Sequence, residues 1–140
     1  MSGAIGSVQL NKLPMFIENR RKNASIFKSL FENEPNIIIQ QETETSSWFG
    51  FSLLLTNKLA SFRDDLVNIL TENQIECRPI VAGNFTKNPV IKFLDYHICG
   101  DLSVSDEIDK NGFFVGNDFR DLRNEINHLH KLIKDFEKNI

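Results

Sequence analysis

The run from Trp48 to Leu55, WFGFSLLL, constrains the fold more than any other stretch of the chain. It is aromatic-rich and too apolar to lie open to water on both faces, so it predicts a β-strand buried in a sheet. Such a strand needs other elements laid against it. The segments on either side are patterned to provide them.

From Ile5 and Val8 through Leu13, Phe16 and Ile17 to Ile26, Phe27 and Leu30, apolar residues recur at three- and four-residue steps, the period of an amphipathic helix. Pro14 lacks an amide donor and crowds the preceding turn, which predicts a kink or two helices there. Glu34-Pro35-Asn36 reads as a turn, Ile37 to Gln40 as a short strand, and the polar stretch Gln41 to Ser47 as a loop. After the central strand, Asn57 can cap a helix whose Phe62, Leu66, Ile69 and Leu70 share one face. Ile75 to Val81 reads as another strand, and Pro79 marks it as an edge or an end, because proline cannot donate to a ladder.

The loop Ala82-Gly83-Asn84 follows, then a short helix opened by Pro89 and running to Tyr96. Ser103 and Ser105 are candidate caps for a turn of helix that ends near Asn111-Gly112, and Phe113 to Val115 is a short buried strand. Leu122, Ile126, Leu129, Ile133 and Phe136 mark a final amphipathic helix. Strands separated by helices, with no Gly-rich strand-to-helix turn, predict an α/β (α+β) fold: a small, largely antiparallel sheet covered by helices in two layers.

At 140 residues, one domain spanning 1–140 is the expectation, and a hydrophobic fraction of 41% with twelve phenylalanines supplies its core. Sixteen basic against nineteen acidic side chains argue against a nucleic-acid module, whose affinity comes from excess positive charge. Arg20-Arg21-Lys22 is read as a solvated helix face. The amino terminus lacks the basic and apolar regions of a secretory signal, and no apolar run approaches the roughly 20 residues that span a bilayer. Cys77 and Cys99 alone make no disulfide framework and fit a reducing compartment, so a cytoplasmic location is expected, with both Asn-x-Ser/Thr sequons unmodified.

No stretch carries a self-sufficient catalytic apparatus. His97-Ile98-Cys99 and His128-Leu129-His130 lack the three or four convergent ligands of a zinc site, and residues two apart on a helix face different ways. Walker loops, nucleophile elbows and dinucleotide fingerprints are missing. Asp64-Asp65 and Asp106-Glu107 read as the polar faces of helices. Arg78 stands out, because a guanidinium in an apolar strand must meet a carboxylate or phosphate, or reach water. Gly83 permits close approach of a ligand to the backbone, and Asn84 offers both a donor and an acceptor. An ordinary turn with an internal Arg–Asp pair accounts for the same pattern.

Four motifs in order bear a resemblance to a known family. The segment Ala4-Ile5-Gly6-Ser7-Val8-Gln9-Leu10 with Leu13 and Arg20-Arg21 comes first. Trp48-Phe49-Gly50-Phe51 follows, and then Ile75 to Asn84 with Pro89, and Asn111 to Asn117. Together they resemble sugar aminotransferases of the DegT/DnrJ/EryC1/StrS family, fold-type-I pyridoxal-phosphate enzymes, and most of all the branch that removes the C3 hydroxyl of nucleotide-linked 4-keto-6-deoxy sugars. The resemblance covers the chain from Ser2 to about Leu129 and implies the small carboxy-terminal domain, with an amino-terminal linking helix. It also implies a homodimeric enzyme of surface-polysaccharide or O-antigen synthesis.

In that family the cofactor's phosphate cradle, the carboxylate at its pyridine nitrogen and the catalytic base precede the Ala-Ile-Gly segment. The resemblance therefore assigns no catalytic residue here and implies that the chain alone binds no pyridoxal phosphate. What carries over is accessory: Arg78, Gly83 and Asn84 face the cleft, and Arg78 suits a carboxylate such as that of glutamate as amino donor. His97 is a further candidate for substrate contact, and Trp48 is read as core. A helix pairing through the Leu122–Phe136 stripe, in a non-catalytic interaction module, is the alternative; so is docking onto a separate large domain.

Overall fold

The structure is a computed structural model and describes residues 2–140. Pro14 divides the first apolar segment as its chemistry requires. Helix α1 (Ser2–Leu10) ends before it, and α2 (Leu13–Phe31) begins with the proline in its first turn, where no amide is needed. Strand β1 (Ile37–Ile39) and strand β2 (Gly50–Leu55) follow. A 3-10 turn over Asn57–Phe62 leads into α3 (Arg63–Glu72) and then into the two-residue strand β3 (Cys77–Arg78). Short 3-10 segments at Phe85–Lys87 and Pro89–Phe93 precede α4 (Ser103–Asn111), β4 (Gly112–Gly116) and α5 (Arg123–Lys138).

The four strands form one antiparallel sheet in the order β1-β2-β4-β3. The α/β (α+β) expectation of a small antiparallel sheet covered by helices is met. Period-two alternation sends Phe51, Leu53 and Leu55 of β2, and Phe113 and Val115 of β4, to one face, where all are buried. Phe27 and Phe31 of α2, Leu66 and Leu70 of α3, and Ile126, Leu129 and Ile133 of α5 cover that face. The Phe27 and Phe51 rings stack 4.3 Å apart and nearly parallel, 9° between planes. The stripe on α5 is thus occupied by its own sheet, which removes it as a surface for pairing with a partner helix.

Local chemistry corrects several boundaries. The central strand starts at Gly50 because Trp48 holds a left-handed backbone, φ 50°, that breaks the ladder. The strand expected over Ile75 to Val81 shrinks to Cys77–Arg78. Its Ile75 amide is tied back to the Leu70 carbonyl, Pro79 has no amide, and Val81 turns at φ 52°. Where β1 stops, the Gln40 side chain continues its pairing: it donates to the Gly50 carbonyl at 2.7 Å and accepts from the Ser52 amide. Asp101, rather than Ser103 or Ser105, covers the start of α4, accepting from the Ser103 amide at 3.1 Å. Asn57 caps nothing and donates to the Pro35 carbonyl. The helix expected from Pro89 to Tyr96 is a 3-10 segment that ends at Phe93.

Two buried asparagines fix how these pieces meet. Asn23 of α2 donates to the Asn117 side chain (3.1 Å), the Asp118 carbonyl (3.2 Å) and the Arg120 carbonyl (2.8 Å), and accepts from the Leu122 amide (3.1 Å). Asn117, just past β4, donates to the Arg20 and Trp48 carbonyls at 3.1 and 2.9 Å. Arg20 adds two bonds to the same Trp48 carbonyl, and Arg21 binds the Ser46 and Thr45 carbonyls. The basic run expected to be a solvated face therefore anchors, through its two arginines, the loop that enters β2.

A second polar cluster pins α5 to the turn after α2. Glu34 lies 2.8 Å from both His130 Nε2 and Lys134 Nζ; Lys134 also reaches Glu137 at 2.9 Å, and Asn36 donates to Glu137 at 2.5 Å. Burial opposes ionisation of Glu34, but the hydrogen bonds and charges of Lys134 and His130 outweigh it and hold the carboxyl below its ordinary 4.5. The Lys134 hydrogen bond likewise depresses Glu137.

Two predictions follow from these clusters. Asn23→Ala orphans the Leu122 amide and three acceptors, and should cost about 1–3 kcal/mol in urea denaturation, read as a lower midpoint at unchanged slope. Because Glu34 and Glu137 titrate lower folded than unfolded, their contribution is whole above the ordinary value of 4.5 and is lost as pH falls through the folded values. Melting temperature measured from about pH 6 down to about pH 3 should fall more steeply for the wild type than for Glu34→Gln/Glu137→Gln.

Candidate functional site

The residues singled out from the sequence lie on β3 and on the strap over residues 79–100 that leaves it. Arg78 pairs with Phe114 across the β3–β4 edge, and its guanidinium is exposed. Both of its recorded bonds go to one carboxylate oxygen of Glu76, two residues earlier, at 2.8 Å from Nε and 2.5 Å from Nη2. An internal pair does exist, then, but with a local glutamate and in water. Two such exposed partners bind each other weakly, and a better-placed carboxylate can displace Glu76.

Gly83 and Asn84 point inward, toward α4. Gly83 adopts φ +58°, and a Cβ on it would lie 1.9 Å from Asp109 Oδ1; the group that approaches this glycine closely is a side chain of the protein itself. Asn84 is only 5% exposed. Its amide nitrogen donates to Asp106 Oδ1 at 2.8 Å, while its oxygen accepts from the Thr86 amide at 3.0 Å and the Thr86 hydroxyl at 2.7 Å. Its backbone amide donates to Asp109 Oδ1 at 3.2 Å. Lys87 completes the cluster with contacts of 2.7 Å to Asp106 and 3.2 Å to Asp109. Hydrogen bonding to Lys87, then to Asn84, holds the Asp106 carboxyl below its usual range, and the same aspartate raises Lys87.

His97 is exposed in the loop before Gly100. No recorded hydrogen bond joins Arg78, Gly83–Asn84 and His97 to one another among the described residues. Trp48 is 4% exposed and packs near Phe51, which fits its reading as core. The role of Asp106 and Asp109 was missed because their partners lie 22 and 25 residues upstream. The signal that was available is Asn84-x-Thr86, a side chain placed to accept from an amide two residues on.

A cleft of about 420 Å³ opens where β3 and β4 part, between Ile75–Glu76, Gly116–Asn117 and Ile126–Leu129. Neither Arg78 nor His97 lines it. Cys77, beside it, is half-buried, and burial pushes its thiol up to about 11, which leaves it protonated and unreactive. Among the described residues, no group of three or more His, Cys, Asp or Glu could hold a metal ion, and no helix is long and apolar enough to cross a membrane.

Among the described residues, four of the five α-helices are poor starts for a phosphate, and only α1 opens without an acidic residue or a proline. A phosphate favours a helix start with free amides and no negative charge. Here α3 opens with Asp64 and Asp65, α4 with Asp106 and α5 with Glu125, while α2 opens with a proline.

Comparison with known proteins places this architecture. Residues 1–116 match the profile of the DegT/DnrJ/EryC1/StrS aminotransferase family. Over 135 residues the chain is 56% identical to the GDP-4-keto-6-deoxy-D-mannose 3-dehydratase of Yersinia pseudotuberculosis, which takes in 96% of this chain and 34% of that protein. It is 31% identical to the lipopolysaccharide biosynthesis protein RfbH of Salmonella typhimurium, over 99% of this chain and 32% of that one. A crystal structure of GDP-4-keto-6-deoxymannose-3-dehydratase with a trapped PLP-glutamate geminal diamine superposes with a TM-score of 0.89 at 48% identity, covering 94% of this chain and 34% of that one. The chain spans about a third of the length of the relatives it matches.

Proposed function

The chain belongs to the DegT/DnrJ/EryC1/StrS aminotransferase family, and from that membership we propose that it is the carboxy-terminal small domain, with its linking helix, of a 3-dehydratase. The enzyme acts on a nucleotide-linked 4-keto-6-deoxyhexose and serves cytoplasmic synthesis of a surface-polysaccharide sugar. Identity of 56% to the Yersinia enzyme over almost the whole chain supports this reading above its alternative, a part of a sugar aminotransferase.

Pyridoxal phosphate supplies the electron sink in such an enzyme, because side chains offer none. Its cradle and the catalytic base belong to the other two-thirds of the protein, so the chain alone retains no cofactor and turns over no sugar. Apolar side chains left in water on α1 and the strap, among them Ile5, Val8, Leu10, Phe93 and Leu94, supply a surface for that larger part and for a homodimer.

Arg78 is the residue that this domain brings to the reaction. The supporting observation is its exposed guanidinium on the sheet edge, engaged among the described residues by an exposed and replaceable Glu76. A free glutamate carboxylate, as amino donor, can take both nitrogens in a bidentate pair. His97, exposed farther along the same strap, contacts the nucleotide sugar in this reading.

The test is a chimera in which this chain replaces the matching third of the Yersinia enzyme. It should convert the 4-keto-6-deoxy sugar nucleotide to its 3-deoxy product with glutamate present. Arg78→Ala should lower kcat/KM for glutamate by about 10- to 100-fold, as loss of a charge-assisted pair requires. A folded, cofactor-loaded chimera that yields an amino sugar, or nothing, contradicts the dehydratase reading; an unchanged Arg78→Ala removes the role of Arg78. The unfused chain, incubated with pyridoxal phosphate, should leave gel filtration without the cofactor's absorbance, and a co-eluting band would contradict the division of labour.

A further inference from the structure

The strap over residues 79–100 connects β3 to α4, and most of it stands in water: Val81 is 91% exposed and Phe93 86%. The backbone turns sharply at both ends, at Val81 (φ 52°) and Gly83 (φ 58°) on one side and Gly100 (φ 77°) on the other. Valine rarely adopts a positive φ, so Val81 marks a strained turn at the start of the strap. Asn84, the single buried residue of the strap, sits at the first of these turns against α4.

Every polar group of that anchor is answered by α4 or by the turn itself. Asp106 receives the Asn84 amide at 2.8 Å and Lys87 at 2.7 Å, and Asp109 receives the Asn84 backbone amide at 3.2 Å and Lys87 at 3.2 Å. The two aspartates are three residues apart and so occupy neighbouring positions on one helix face. Asp109 also fills the space that a side chain on Gly83 would need.

We propose that Asp106 and Asp109 of α4 are positioning residues that latch the strap through Asn84 and Lys87, and that Asn84 acts from inside this latch and not on substrate. The inference rests on the reading of this domain as part of a dehydratase only for its consequence in catalysis. There the latch sets where the segment between Arg78 and His97 stands relative to the substrate. The latch itself is a property of this chain and can be tested on it alone.

Hydrogen–deuterium exchange on the 140-residue chain is the deciding measurement. In Asp106→Ala/Asp109→Ala, amides of residues 81–98 should exchange roughly tenfold faster or more, while those of β2 and β4 keep wild-type protection. Lys87→Met, which leaves α4 untouched, should shift the same amides in the same direction, so a helix fault in the double variant cannot decide the result. Unchanged strap exchange in both variants overturns the proposal, and so does an equal rise in the sheet strands, since that reports global loosening.

In the Yersinia chimera, Lys87→Met should raise KM for the sugar nucleotide with kcat nearly kept, the mark of misplaced binding groups. A fall in kcat at unchanged KM overturns the positioning role. An inactive wild-type chimera refutes the functional reading and not the latch, which the exchange data decide separately.

Discussion

The carbonyl oxygen of Trp48 accepts three hydrogen bonds, two from Arg20 and one from Asn117, and on that convergence the arrangement of the chain depends. Asn117 is held in turn by Asn23, which also gathers the backbone at Asp118, Arg120 and Leu122. Helix α2, the entry to β2, the exit of β4 and the start of α5 are therefore joined at one buried polar point. Apolar packing is non-directional and would allow α2 to slide or rotate on the sheet by small amounts. Side chains with fixed donors and acceptors remove that freedom, because any displacement strands a desolvated polar group. The left-handed turn at Trp48 is tolerated for the same reason: its carbonyl is too well satisfied to leave.

What the sequence disclosed and what it hid divide along the same physical line. Periodicity reports burial, so the helices over Phe27, Leu66 and Ile133 and the strand through Phe51 and Leu53 could all be read directly. Polar organisation leaves no period. Asn23 reads only as part of a sequon, and Arg20 and Arg21 read as a wet face; yet these three hold the loop and the sheet together. Backbone sign is hidden in the same way. Nothing in Ile75 to Val81 announces that Val81 turns left-handed, so a seven-residue strand was expected where only Cys77 and Arg78 pair.

The stretch from Arg78 to Asn84 shows a third kind of partial legibility. Residue types there pointed to recognition, and the types are indeed unusual for a strand and its exit. Their partners were not visible: Asp106 and Asp109 lie on another helix, and only the fold brings them to Gly83 and Asn84. A glycine that admits close approach and an asparagine with two functions serve an internal carboxylate as well as they would a ligand. Arg78 differs from them because its partner, Glu76, is as exposed as it is.

That contrast supports the proposed role of the chain as a domain that contributes to a site it does not contain. Its inner sheet face is closed by α2, α3 and α5, so the core and the polar hub are complete within the described residues. The outward groups cluster instead on α1, on the β3 edge and on the strap, where Ile5, Phe93 and Arg78 remain open. Burial and hydrogen-bond satisfaction have been used up on one side, which leaves the other side free to be shaped by whatever docks there. An edge strand of two residues, followed at once by proline, cannot recruit a foreign strand along its length, so contact at this edge must come through side chains. Where that edge presents its side chains then depends on the turn at Gly83–Asn84, which the Asp106 and Asp109 carboxylates hold from α4.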